Sequence, residues 1–126
     1  MRGRNEEERI NCVATFFGQS LKGPTESAAL LLLSDSAIDY FPSDAVDNAA
    51  GGGVRAGDQR QASAAGRSQG VAFKFGNGRV VVLGEAGHLS ARPVGAQRRA
   101  SGINYEGCDN RQWALNIVHW LSGLFD

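Results

Sequence analysis

Residues 71–84 read VAFKFGNGRVVVLG, and the architecture turns on them. Val71, Phe73 and Phe75 alternate with Ala72 and Lys74, the period of two of a strand whose successive side chains point to opposite faces. Asn77-Gly78 supplies the two positive-φ residues that a type I′ turn demands. Residues 79–83 then return as a second strand. The first strand alternates, whereas Val80-Val81-Val82-Leu83 is apolar throughout. The first is therefore expected nearer an edge, and the second central in a covered sheet.

On the C-terminal side, the polar loop ARPVGAQRRASGINYEG (91–107) leads into DNRQWALNIVHWLSGLFD (109–126). Asp109 is placed to cap a helix, and Gln112 three residues later completes a capping box. Trp113, Ile117, Leu121 and Leu124 recur at helical spacing with Ala114 and Val118 beside them, which predicts an amphipathic helix laid on the sheet. Gly123 marks its C-terminal end. On the N-terminal side, residues 1–8 are a charged lead-in. RINCVATFFGQSL (9–21) reads as a strand ended by Gly23-Pro24. AALLLLSDSAIDYF (28–41) reads as a strand buried on both faces that runs into a turn and a short extended piece. Residues 43–69 are rich in Gly, Ala, Ser and Asp and poor in large apolar groups, so they read as a long mobile surface loop. Gly51-Gly52-Gly53 lacks the strand-before, helix-after setting of a phosphate loop.

The 126 residues fit one domain, 1–126, with thirteen basic and thirteen acidic side chains in balance. That balance removes the simplest electrostatic case for nucleic acid or an anionic membrane as a partner. No apolar run reaches the roughly 20 residues of a membrane span, and MRGRNEEERIN has no apolar core of a signal peptide. Cys12 and Cys108 make neither a metal spacing nor a disulfide framework. His88 and His119 are too few for a zinc site. No metal and no cofactor are expected, and a reduced, cytoplasmic setting is.

The densest chemistry lies in EAGHLSA (85–91). Glu85 and His88 are the catalytic candidates: a general base or ligand with its imidazole partner, at the end of a strand where ligands of open α/β sheets gather. The competing reading is a strand-exit turn, with Gly84 and Gly87 permitting the bend, and it is the stronger of the two because no second acid or nucleophile stands beside them. Cys108, next to the helix N-terminus, is a candidate reactive thiol. Adjacent Asp109 and Glu106 oppose its ionisation. Cys12 reads as packing. Asn110 and Arg111 are ligand-binding candidates. Arg111 could hold a carboxylate or phosphate, and could equally pair with Glu106. His119 reads as a helix-face residue, and Arg92, Arg98 and Arg99 as a solvated basic loop.

QGVAFKFGNGRVVVLGEAGHLSA followed by DNRQWALNIVHWLSGLFD resembles the C-terminal part of a class I glutamine amidotransferase-like domain. The likeness is to poorly characterised bacterial members of that superfamily, distantly akin to ThuA-like proteins. RINCVATFFGQSL and LLLLSDSAIDYF also resemble preceding segments of such a domain. The resemblance implies an α/β, flavodoxin-like sandwich, truncated because the chain begins after the N-terminal half. It does not carry amidotransferase activity over. Neither INCVA nor EGCDN has the G-x-C-x-G elbow, and no His-x-Glu pair stands near the C-terminus. A halved parallel sheet leaves an open edge, and a homodimer is the expected repair. The function expected is a non-catalytic binding or interaction module with a small-molecule or protein partner. The alternative is a hydrolase or sugar-modifying enzyme of ThuA-like type using Glu85 and His88.

Overall fold

The computed structural model describes residues 3–41, 60–93 and 95–124. The fold is a small mixed α/β arrangement of two antiparallel sheets and one helix near the C-terminus. Strands β1 (Ala28–Ala29), β4 (Gly70–Phe75) and β5 (Gly78–Leu83) form a sheet in the order β1-β4-β5, and β2 (Ile38–Phe41) pairs with β3 (Arg60–Ser63). Helix α1 spans Asn110–Leu121 and packs on β5.

The 71–83 hairpin forms as expected, but its turn is displaced by one residue. Phe75 pairs with Gly78, so the connection is Gly76-Asn77. Gly76 has φ +55° and Asn77 does not enter the positive region, the pattern of a type II′ rather than a type I′ turn. The ranking of the two strands is also reversed. β4 lies in the middle, with Gly70, Val71 and Ala72 buried, whereas β5 is an edge strand whose apolar run is screened by the helix lying over it. An uninterrupted apolar run therefore marks a strand under a helix here, not a strand between two others. All described pairing is antiparallel, in place of the parallel sheet that the resemblance implied.

Upstream, propensity gives way to tertiary context. The tetraleucine run, Leu30–Leu33, follows directly on β1 but contributes no residue to it, only an isolated bridge at Leu32, which is 71% exposed. It is not buried on two faces, because one side of it meets only residues 67–70: Leu33 N–H donates to Arg67 O, Gln69 N–H to Leu31 O and Leu30 N–H to Gly70 O. Residues 60–69, expected within a loop, hold β3, buried Ala64 and buried Ser68. The remainder of that loop, 43–59, lies outside the described residues. An Arg67–Ser20–Asp39 network ties β2 to the larger sheet, with Arg67 Nε donating to Ser20 Oγ (2.5 Å) and Ser20 Oγ to Asp39 Oδ2 (2.5 Å).

Residues 9–21 form no strand until Leu21, which bridges to Ser68. They run extended across the molecule, and side chains rather than a ladder hold them. Asp109 Oδ2 accepts from the Asn11 and Cys12 amides (2.7 and 3.1 Å). Asn110, fully buried, accepts from Ala14 N–H (2.8 Å) and donates to Ala14 C=O (3.0 Å), imitating a β-bridge. Asn116, also fully buried, donates to Glu8 O (2.8 Å). The charged lead-in is ordered too: Glu6–Glu8 is a 3₁₀ turn capped by Asn5, and Arg4 clamps the Glu8 carboxylate.

This corrects the reading of the helix start. Asp109 occupies the N-cap position but makes no capping hydrogen bond, and Gln112 donates to Asn116 Oδ1 instead of closing a box. Only Trp113 and Ile117 of the predicted apolar stripe are buried. Val118, Leu121 and Leu124 are exposed. Gly123 (φ +83°) ends the helix in a Schellman motif, its amide on Trp120 O and that of Leu124 on His119 O. Arg79 reaches from β5 to this end, donating to Trp120 O (2.8 Å) with its guanidinium over the Trp120 ring.

Candidate functional site

Where β5 ends, Gly84 turns the chain against the 9–21 segment so closely that a Cβ there would overlap the Gln19 carbonyl. The next turn, the 3₁₀ Gly87–Leu89, throws Glu85 and His88 inward. His88 is fully buried, edge-on to Trp113 with ring centroids 5.1 Å apart. Its Nδ1 donates to the Glu85 carbonyl (3.0 Å), and its Nε2 lies 3.4 Å from Glu85 Oε2 without completing a hydrogen bond. The Glu85 carboxylate accepts from Phe16 N–H through both oxygens (3.2 and 3.1 Å). A Cβ on Gly87 would overlap Glu85 Oε1, so a residue without a side chain is needed for the carboxylate to fold back. The pair thus joins the β5 exit, the helix and the N-terminal segment.

Beside this corner opens a cavity of about 520 Å³. Phe16, Phe17 and Tyr105 form its aromatic wall, with Phe16 and Tyr105 edge to face at 5.5 Å between centroids. Glu85, Gly87 and Ser90 line it from the strand exit, and Arg92, Arg99 and Ser101 from the loop that follows. The Ser101 hydroxyl donates to the Arg92 carbonyl, pinching that loop at its base. Lined mainly by apolar surface with a few polar groups, the cavity falls within the usual 300–1,000 Å³ range for ligand sites.

The other candidate residues lie apart from it. Asn110 spends its amide on the Ala14 backbone. Arg111 is exposed and donates to Asn104 Oδ1 (3.2 Å) rather than pairing with Glu106. Cys108 is no thiol at all. It is bonded to Cys12 across 96 positions of sequence, correcting both the reactive-thiol assignment and the reading of Cys12 as packing. Spacing alone could not reveal the bond, because the extended 9–21 segment that carries Cys12 to the helix start is held by tertiary contacts. Among the described residues no cluster of His, Cys, Asp and Glu could hold a metal ion, and no helix is long and apolar enough to cross a membrane. The cavity residues Phe16, Phe17 and Tyr105 carried no motif in the sequence. Arg92 and Arg99 were visible there only as a basic loop.

Compared with protein-family models, with curated proteins and with solved structures, the chain gives no match.

Proposed function

We propose that the chain is a non-catalytic binding module, of glutamine amidotransferase-like descent, whose site is the cavity beside the β5 exit. One observation carries this reading. His88 is wholly buried and both its nitrogens are turned on Glu85, so the most reactive-looking pair in the sequence serves as a structural corner. A hydrolase using Glu85 and His88 has Glu85 on the cavity wall in its favour, but it needs the imidazole there as well, and His88 does not line the cavity. The Cys12–Cys108 bond favours an oxidising compartment over the reduced cytoplasm expected from composition. A homodimer through the open edge of β5 belongs to the same reading.

The test is direct. Small neutral aromatic probes such as benzyl alcohol should shift the amide resonances of Gly87, Ser90 and Ala100 saturably. Ala100→Trp, a substitution at an exposed lining position, should abolish those shifts while leaving the fold intact by circular dichroism. Probe shifts mapping elsewhere, or surviving the substitution, would remove the cavity as the site.

A further inference from the structure

We infer that the cavity binds a small monocarboxylate with an aromatic body, an aryl- or arylalkyl-carboxylic acid. This rests on the binding-module reading and deepens it. Charge comes first. Two arginines, Arg92 and Arg99, and one glutamate, Glu85, are among the residues that line the cavity. Glu85 is already engaged by Phe16 N–H and sits against His88. Arg92 has no hydrogen-bond or ion-pair partner for its side chain among the described residues, and Arg99 gives only its Nε, to Gln97 Oε1 (3.0 Å). The cavity therefore carries one positive charge in excess, with planar donors left over, and a carboxylate is the monoanion that matches guanidinium geometry two bonds at a time.

The hydroxyls sharpen this. Ser90 donates to Gly87 O and Ser101 to Arg92 O, so neither hydroxyl has a proton left to donate to a polar ligand body. What remains is aromatic. Phe17 lines the cavity with 87% of its surface exposed, a large ring that nothing in the described chain covers. Phe16 and Tyr105 present the same wall. An aryl group laid there would bury apolar surface and meet ring edges in the offset geometries that aromatic pairs prefer. Glu85 at the strand-exit side repels a second anion, so the carboxylate is directed toward Arg92 and Arg99.

Phenylacetate, phenylacetamide and phenyl phosphate, titrated separately into the isotope-labelled full chain, test this. The expected result is saturable binding of phenylacetate at Gly87, Ser90 and Ala100, with the neutral amide weaker by about tenfold or more because it lacks the charge-assisted bonds. In the Arg92→Gln/Arg99→Gln double variant, both positions being exposed, that preference should vanish. Equal binding of acid and amide to the unaltered chain would overturn the carboxylate assignment and leave the binding cavity standing. So would tighter binding of the phosphate dianion. Binding by none of the three, nor by benzyl alcohol, would overturn the cavity reading itself. The acid-to-amide comparison needs no variant, so it decides the matter even if the double substitution disturbs the loop.

Discussion

Asn110 shows how one side chain can stand in for a strand. Its fully buried amide supplies both a donor and an acceptor to Ala14. Asn110→Ala would leave the N–H and the C=O of half-buried Ala14 without their partner, and a group orphaned away from water costs about 1–3 kcal/mol. Urea denaturation should therefore show a loss of about 2–4 kcal/mol, far above that of Arg111→Ala next to it on the exposed face. Glu8 offers a titration counterpart. Hydrogen bonds from the Arg4 guanidinium and then from the Arg4 amide hold its carboxyl down to about 2, from an ordinary 4.5, against the opposing effect of burial. The folded state thus binds this proton less readily than the unfolded chain. The resulting stabilisation is fully present above about pH 4.5 and is lost as pH falls through about 2. The stability difference between the unaltered chain and Glu8→Gln should accordingly be flat near neutrality and shrink between these two values, and thermal melts across that interval would measure it.

The hairpin was legible because its signal is local: alternation, a glycine-rich turn and a return strand are all written within fourteen residues. Even so, the turn residue was misplaced. The positive φ belongs to Gly76, while Gly78 sits in β5 with ordinary backbone and only van der Waals contact for an added Cβ. Gly76→Ala should cost about 1–2 kcal/mol and Gly78→Ala much less, a contrast readable by denaturant midpoints. Helix α1 was legible for the same reason as the hairpin. Its polar positions were not, because Asp109, Asn110 and Asn116 act on backbone some hundred residues earlier, beyond any local pattern. The 9–21 segment and the tetraleucine run failed as strands in the complementary way. Their composition favours extension, but among the described residues they find a bridging partner where residues 67–70 reach them and otherwise only single backbone bonds, such as Gln19 N–H to Gly84 O. At the candidate site the Glu85–His88 corner was found by its residue types, whereas the cavity beside it is made by three segments that no spacing connects.

Taken whole, the molecule has a small apolar core of Ala64, Val71, Ala72, Trp113 and Ile117, reinforced by buried amides, and an open edge at β5. A homodimer should appear in sedimentation equilibrium as a mass rising to twice that of the chain over a hundredfold concentration range. A single monomeric species at micromolar concentration would discard the edge-pairing proposal. The Cys12–Cys108 bond has a consequence of another kind. By joining positions 96 residues apart, it closes the stretch between them into a covalent ring. A single backbone break anywhere within that ring opens it without parting it. A nicked molecule would keep its mass, and the two edges of the break could not drift away from the body that holds them.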